Sequence, residues 1–380
     1  MQETRSAPQE SSAPGRLNFI EGLRGLAAFY VVLQHICTMI DPHRKMARPG
    51  AQPEWLAQVM GGLWFGGLAV AGFIVISGFC LQLSLFNRGD GSRTDWRKFF
   101  ARRCWRILPP YYACLALSLV VCWLVTQHQS GLPWVQYLPV TAENLTAHLL
   151  MVHNLQPEWM YKINGVLWSI SIEFQLYFFF PLFVWLLHRA GRGVLMIVLG
   201  GLAAWLLISY APAAKLYVHF IPLFGLGMVA ASVAFRPDAR KLPSWIWAGL
   251  SLVALIATVI ACRETKEAWI RDSLCGISLA ALLTFCAQKP GSMLSRVLGI
   301  RILVGLGAFS YSLYLMHHPI LQVLFAHRPE WASTVTRQFA YLIALIPLIL
   351  LLCWLFYLAF ERPFIKPRRA QKGPISEPVA

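Results

Sequence analysis

The stretch RLNFIEGLRGLAAFYVVLQH, near the start of the chain, carries Glu21, Arg24 and His35 among largely apolar residues. Ionised groups at membrane depth are costly and turn toward the protein interior or a wet cavity. Glu21 and Arg24 are three residues apart and can pair on one helix face. Arg24 and His35 are eleven apart, about three turns, so they share a face with about 16 Å between them along the axis. That stripe places a cation toward one end of the helix and an imidazole toward the other. Imidazole titrates near neutrality and is the usual general base for a hydroxyl nucleophile. The competing reading is structural: Arg24 snorkels to the nearer surface and His35 bonds a neighbouring helix. Spacing alone leaves both open.

Five further stretches carry polar groups that need a reason. FFARRCWRILPPYY clusters Arg102, Arg103 and Arg106 at the entry to an apolar block. Guanidinium groups bind phosphates through charged, often bidentate hydrogen bonds, although the same charges could serve only to set topology. GFIVISGFCL contains Ser77, Gly78 and Phe79. Ser77-Gly78 suits close helix packing or a kink, and no GxSxG elbow supports Ser77 as a nucleophile. LWSISIEFQLYFFFP sets Glu173 among apolar residues, with Ser169 and Tyr177 four away on either side and so on its face. A buried carboxylate must find a cation or stay protonated. Trp168 beside it is read equally as an interfacial anchor or a cavity wall. GAFSYSLYLMHHPIL repeats Ser310, Tyr314 and His317 at spacings of four and three, a polar stripe for interhelical bonds or for a site. Glu361 in FERPF is read as a structural partner for a nearby Arg.

The elements that must position these groups are membrane helices. Of the 380 residues 57% are hydrophobic and 13% charged, against about 25% charge in a soluble globular chain. The apolar residues fall in blocks long enough to cross a hydrocarbon core. Ten spans are predicted, at about 17–40, 61–86, 106–126, 166–188, 193–210, 216–235, 243–262, 269–288, 302–326 and 338–360. The predicted class is an all-α polytopic membrane protein.

Of the 33 Lys and Arg, 22 fall in segments on the N-terminal side of the membrane, 10 on the other side, and Arg24 lies within the first span. Positive residues favour the cytoplasm, so both termini are expected there. The net charge of +16 lies in the gaps between apolar blocks, with many of the fifteen Trp, which argues against nucleic acid as a partner and for membrane lipid. Nine Cys form no CxxC pair and no Cys/His cluster with zinc spacing, so neither disulfides nor a metal site is expected. Residues 1–15 read as a disordered cytoplasmic segment without a cleaved signal, 16–362 as one transmembrane domain, and 363–380 as a short basic tail. Two segments on the far side are long, 41–60 and 127–165, and the second has room for a short helix or part of an acceptor site.

Taken in order, EGLRGLAAFYVVLQH, FIVISGF, RRCWRILPPY, LWSISIEFQLYFFFP, FSYSLYLMHHP and ERP resemble the membrane-bound acyltransferase-3 family, bacterial O-acyltransferases of polysaccharides and other glycoconjugates. The resemblance runs from about Arg16 to Pro363. It implies that Arg24 and His35 take part in activity and that Arg103 and Arg106 are the family's arginine pair. Ser77, Gly78 and Phe79 fall on its SGF segment, and Trp168 and Glu173 on the conserved pair of its fourth block. Glu21 stands where many members have Asp. The chain resembles the members that stand alone, without an appended hydrolase-like domain.

The implied reaction moves an acyl group, acetyl first among the options, from cytoplasmic acetyl-CoA or another acyl-CoA to a hydroxyl of a cell-envelope carbohydrate across the bacterial inner membrane. The acyl-CoA is a co-substrate rather than a permanently bound cofactor. Its phosphates are expected near Arg103 and Arg106, aided by Arg102. Its arm would extend past Arg24 toward His35 as base, with Glu173 as one candidate to orient His35. The rival readings are a transporter or flippase of lipid-linked sugars, weakened by the lack of inverted repeats, and a non-catalytic assembly subunit.

Overall fold

The structure, a computed structural model, describes residues 17–46, 50–51, 53–86, 94–235 and 242–365. The expected polar segment 1–15, Arg88 and Arg93 of the basic loop, and the tail beyond residue 365 lie outside the described residues. Among those described, all regular structure is helical. Helices satisfy every backbone hydrogen bond within one segment, which hydrocarbon requires. The chain is an all-α polytopic membrane protein. Seven helical stretches among the described residues have the length and apolarity to cross a membrane, and one shorter apolar helix joins them.

The first span is α1 (Asn18–Ile40). The second divides into a short α2 (Glu54–Leu63) and α3 (Gly66–Phe86). The third, α4 (Trp96–Leu124), begins at Trp96 and not near residue 106, so Arg102, Arg103 and Arg106 ride on the helix instead of preceding it. Its start is fixed by Asp95, whose side chain accepts the Lys98 amide at 3.0 Å. That hydrogen bond holds the exposed Asp95 carboxyl below its ordinary range. Hydropathy misses this boundary because the first turns of α4 are basic.

The predicted fourth and fifth spans are the two arms of α6 (Leu167–Ser209), which meet at Gly191, whose φ of 86° and ψ of 175° no helix allows. The next three are α7 (Phe220–Phe235), α8 (Ser244–Glu264) and α9 (Ala268–Gln288). A short α10 (Met293–Leu298) follows. The predicted ninth span is two helices, α11 (Arg301–Ala308) and α12 (Ser310–Ala326), divided at Phe309. The tenth is likewise divided at Leu345, into α13 (Val335–Ala344) and α14 (Ile346–Phe356). Pro347 in the first turn of α14 has no N–H to continue the preceding ladder. A π-helical turn, Tyr357–Glu361, closes the bundle.

Two glycine-mediated crossings hold the centre together. A Cβ built on Gly78 would lie 2.1 Å from the Phe224 carbonyl oxygen, and one on Gly227 would lie 2.0 Å from that of Val75, so α3 and α7 touch backbone to backbone. The same contact joins α1 to α10 and α11, where a Cβ on Gly22 would lie 1.6 Å from the Leu298 oxygen and one on Gly307 1.9 Å from that of Glu21. Helices in lipid associate through such small-residue contacts, because burying apolar surface gains little there. Phe79, fully buried, packs edge-on against Phe235 and belongs to the core.

The far-side segment between α4 and α6 is folded down onto the bundle. It contains the short helix α5 (Ala142–Leu149), begun by a capping box of Thr141 and Asn144. Trp134, Tyr137, Met151 and Ile163 are buried. Ile163 holds φ +64°, a conformation a β-branched residue adopts only when its surroundings impose it. Here the Ile163 N–H donates to the Tyr137 carbonyl at 3.0 Å, and the Cys122 thiol donates to the Ile163 carbonyl at 3.4 Å.

Candidate active site

A cavity of about 110 Å³ opens between α1, α3, α4, α6 and α12. Its wall brings together Arg24, Ser77, Arg103, Arg106, Ser169, Glu173, Tyr177, Ser310 and Tyr314, drawn from every polar stretch the sequence singles out except FERPF. Three guanidinium groups face one carboxylate across this space. The wall therefore carries more positive than negative groups.

Three of the four charged wall residues are held by contacts within the protein. Arg24 pairs with Glu21 at 3.5 Å, an i,i+3 contact along α1. The Arg103 guanidinium lies 5.7 Å from the ring centres of both Phe99 and Tyr177, a cation–π setting that keeps its fork directed into the cavity. Glu173 accepts the Tyr177 hydroxyl at 2.5 Å, and the Tyr177 oxygen in turn lies 3.2 Å from the Ser77 hydroxyl. Since Tyr177 donates to the carboxylate, Ser77 donates to Tyr177. The Ser310 hydroxyl is buried in the wall with no hydrogen-bond partner among the described residues, leaving it available to a ligand.

Arg102 is exposed and lies off the cavity wall, because it stands a quarter-turn or more around α4 from Arg103. Trp168 is neither a surface anchor nor a wall residue. It is buried and stacks on Tyr217 at 4.2 Å. Glu361, expected to meet an arginine, accepts hydrogen bonds from the Ser312 amide, at 3.1 Å, and from the Ser312 hydroxyl. It thereby satisfies one of the free amides in the first turn of α12.

His35 does not line the cavity. The wall ends at Tyr314, whose hydroxyl bonds Ser169 at 2.7 Å and whose ring meets Phe73 edge-on. One turn further along α12, His317 lies with its Nε2 3.2 Å from His35 Nδ1. The imidazoles of His35, His317 and His318 thus form one group, with ring centres 4.9 Å and 5.2 Å apart around His35. Tyr314 stands between the cavity, where Arg24 lies, and the imidazoles, its ring centre 6.0 Å from that of His317.

A family model described as an acyltransferase domain matches residues 17–358. The chain belongs to this acyltransferase family. The O-acetyltransferase OatA of Staphylococcus aureus (strain NCTC 8325 / PS 47) is 25% identical over 342 residues, covering 81% of this chain and 51% of that protein. The acyltransferase MdmB of Streptomyces mycarofaciens is 26% identical over 348 residues, covering 82% of this chain and 80% of its own. A Bacillus subtilis (strain 168) protein called "Putative peptidoglycan O-acetyltransferase YrhL" is 26% identical over 329 residues, covering 80% and 49%. The chain thus spans about half the length of the OatA and YrhL relatives. No solved structure matches it.

Several polar contacts within this acyltransferase domain escape sequence reasoning. His318 Nε2 meets the Tyr137 hydroxyl at 2.9 Å, a contact across 181 residues that joins the far-side segment to the imidazole group. His219 and Asp272 form a buried pair at 2.9 Å between the start of α7 and α9. Asp272 is an isolated carboxylate within an apolar block, and that signal alone could have marked it.

Proposed function

We propose that the chain is a transmembrane O-acyltransferase that moves an acyl group, acetyl in the first instance, from cytoplasmic acyl-CoA to a hydroxyl of a cell-envelope carbohydrate. The observation that carries this reading is the single cavity lined by Arg24, Arg103 and Arg106, whose far wall, Tyr314, is one helical turn from the His317–His35 pair. The names of the relatives point the same way: two are called O-acetyltransferases, and one name specifies peptidoglycan.

In this reading the protein is a multi-pass component of the bacterial inner membrane with the arginine end facing the cytoplasm, in keeping with the distribution of Lys and Arg. Acyl-CoA enters there as a co-substrate, and Arg103 and Arg106 take its phosphates in charge-assisted hydrogen bonds. Its arm extends along the cavity past Arg24 and the unpartnered Ser310 hydroxyl. The acceptor approaches from the histidine end. His35 Nε2 removes the acceptor hydroxyl proton, the oxygen attacks the thioester carbonyl carbon, and the C–S bond breaks. The thiolate takes the proton back from the imidazolium, leaving an ester and free CoA. Tyr314 must turn aside for the thioester to reach His35.

The experiment uses the protein in membrane vesicles with acetyl-CoA labelled in the acetyl group. The expected result is label in alkali-sensitive ester linkage on glycan, with CoA released in equal amount. A transporter of lipid-linked sugars would leave the thioester intact, and that result would overturn the reading.

A further inference from the structure

The geometry points to His317 as the positioning residue that holds the proton of His35 on Nδ1 and so leaves Nε2 free to act, an assignment that rests on His35 being the base. Which ring nitrogens can donate decides the arrangement. His317 Nδ1 lies 2.9 Å from the Leu313 carbonyl oxygen, and a carbonyl only accepts, so Nδ1 of His317 carries a hydrogen. His35 Nδ1 lies 3.0 Å from the Val31 carbonyl oxygen, so it also carries one. The contact of 3.2 Å between His35 Nδ1 and His317 Nε2 then has one consistent assignment: the Nδ1–H of His35 donates, and the bare Nε2 of a neutral His317 accepts.

The Val31 oxygen is also the ordinary backbone acceptor for residue 35 within α1. The single hydrogen on His35 Nδ1 is thus shared between two acceptors, and His317 Nε2, which receives no other donor among the described residues, is the one free to take it fully. Among the described residues no hydrogen bond reaches His35 Nε2, and His35 is half-buried while His317 is fully buried. The base is therefore reachable and its orienter is enclosed.

When His35 takes up the acceptor proton, its Nδ1–H becomes a charged donor and its bond to His317 Nε2 strengthens. In a Ser-His-Asp triad a carboxylate holds this position. A neutral imidazole does so here without placing a permanent charge in the membrane interior. Glu173, the sequence-based candidate for this task, is occupied by Tyr177.

The test compares His317→Gln, whose amide oxygen can accept near the Nε2 position, with His317→Met, which fills the volume with only a weak acceptor. In vesicles supplied with labelled acetyl-CoA, His317→Met is expected to lose about 10²-fold in maximal rate, with the KM for acetyl-CoA within twofold of wild type. His317→Gln should keep most of the rate. Imidazole nitrogen NMR of the full-length protein, with the His35 signal assigned by its loss in His35→Asn, should show the proton on Nδ1 in wild type and partly moved to Nε2 in His317→Met. Equal losses in both variants, or a His35 tautomer unchanged in His317→Met, would overturn the assignment. A wild-type protein that ignores acetyl-CoA would sink the acyltransferase reading instead, and the tautomer spectra would still decide the role of His317.

Discussion

Arg103 and Arg106 lie one helical turn apart on α4 and meet Arg24 of α1 across the cavity, so three cations from two distant stretches act on one volume. A hydrogen bond to a charged group contributes about 1.5–3 kcal/mol. Arg103→Gln and Arg106→Gln should each raise the KM for acyl-CoA by about 10- to 100-fold, measured with labelled donor in vesicles. Arg103→Lys should restore only part of the loss, because the flat guanidinium fork and its stacking between Phe99 and Tyr177 have no ammonium equivalent. An unchanged KM in the Gln variants would remove these arginines from the donor site. His35→Ala should lower the transfer rate by about 10²-fold or more at an unaltered protein level in the membrane. Transfer near the wild-type rate would show that His35 is not the base.

At the scale of elements, α1 and α11 position Arg24 by touching backbone to backbone. Gly307 and Gly305 lie on the same short helix, yet a Cβ on Gly307 would lie 1.9 Å from the Glu21 oxygen while one on Gly305 meets nothing within 4 Å. Gly307→Ala should therefore lower the thermal stability of the purified protein and reduce its activity, and Gly305→Ala should leave both near wild type. Equal behaviour of the two would contradict the crossing. The start of α12 depends similarly on Glu361. Replacing it with Ala leaves the Ser312 amide and hydroxyl without their acceptor, which costs about 1–3 kcal/mol and should lower the unfolding midpoint by several degrees. Since α12 carries Ser310, Tyr314 and His317, that variant should lose activity along with stability.

For the whole molecule, two buried imidazoles tie the folding of the segment between α4 and α6 to pH. His148 and His153 stack with ring centres 3.7 Å apart and 7° between planes, buried, each with Nε2 unpartnered among the described residues. Burial pushes His148 down to about 4 from an ordinary 6.5, and it lowers His153 as well, helped by the neighbouring His148. The unfolded segment thus binds protons that the folded one refuses, and stability rises with pH across that interval. It is complete above about 6.5 and is lost as the medium is acidified toward 4. Limited proteolysis of the segment should accelerate over this range, and His148→Phe should flatten the dependence. A profile identical in wild type and variant would disprove the account. Tyr137 of this segment bonds His318 beside His35, so its loosening should reach the active site.

The sequence by itself determined the class of the protein, the chemistry-bearing residues and most of the spans. Hydrocarbon permits only a few solutions to backbone hydrogen bonding and makes every intramembrane charge conspicuous. Arg24, Glu173, Arg103 and Arg106 could be read off for that reason, and the cavity does unite them. Where helices begin and break was less legible. The basic first turns of α4 hide its start, and the breaks at Phe309 and Leu345 leave no mark in average hydropathy, whereas the one at Gly191 falls in the gap expected between two spans. Only the tertiary structure decided who meets whom. It gave Glu361 hydrogen bonds from Ser312 beside the charges of Arg106 and Arg24, Glu173 to Tyr177 and not to His35, and His35 to His317 across 282 residues. Periodicity fixes the face of a helix on which a side chain lies, whereas its partner depends on how far helices rotate and slide against one another. That is set by contacts such as Gly78 on Phe224 and Gly307 on Glu21, which local sequence does not encode.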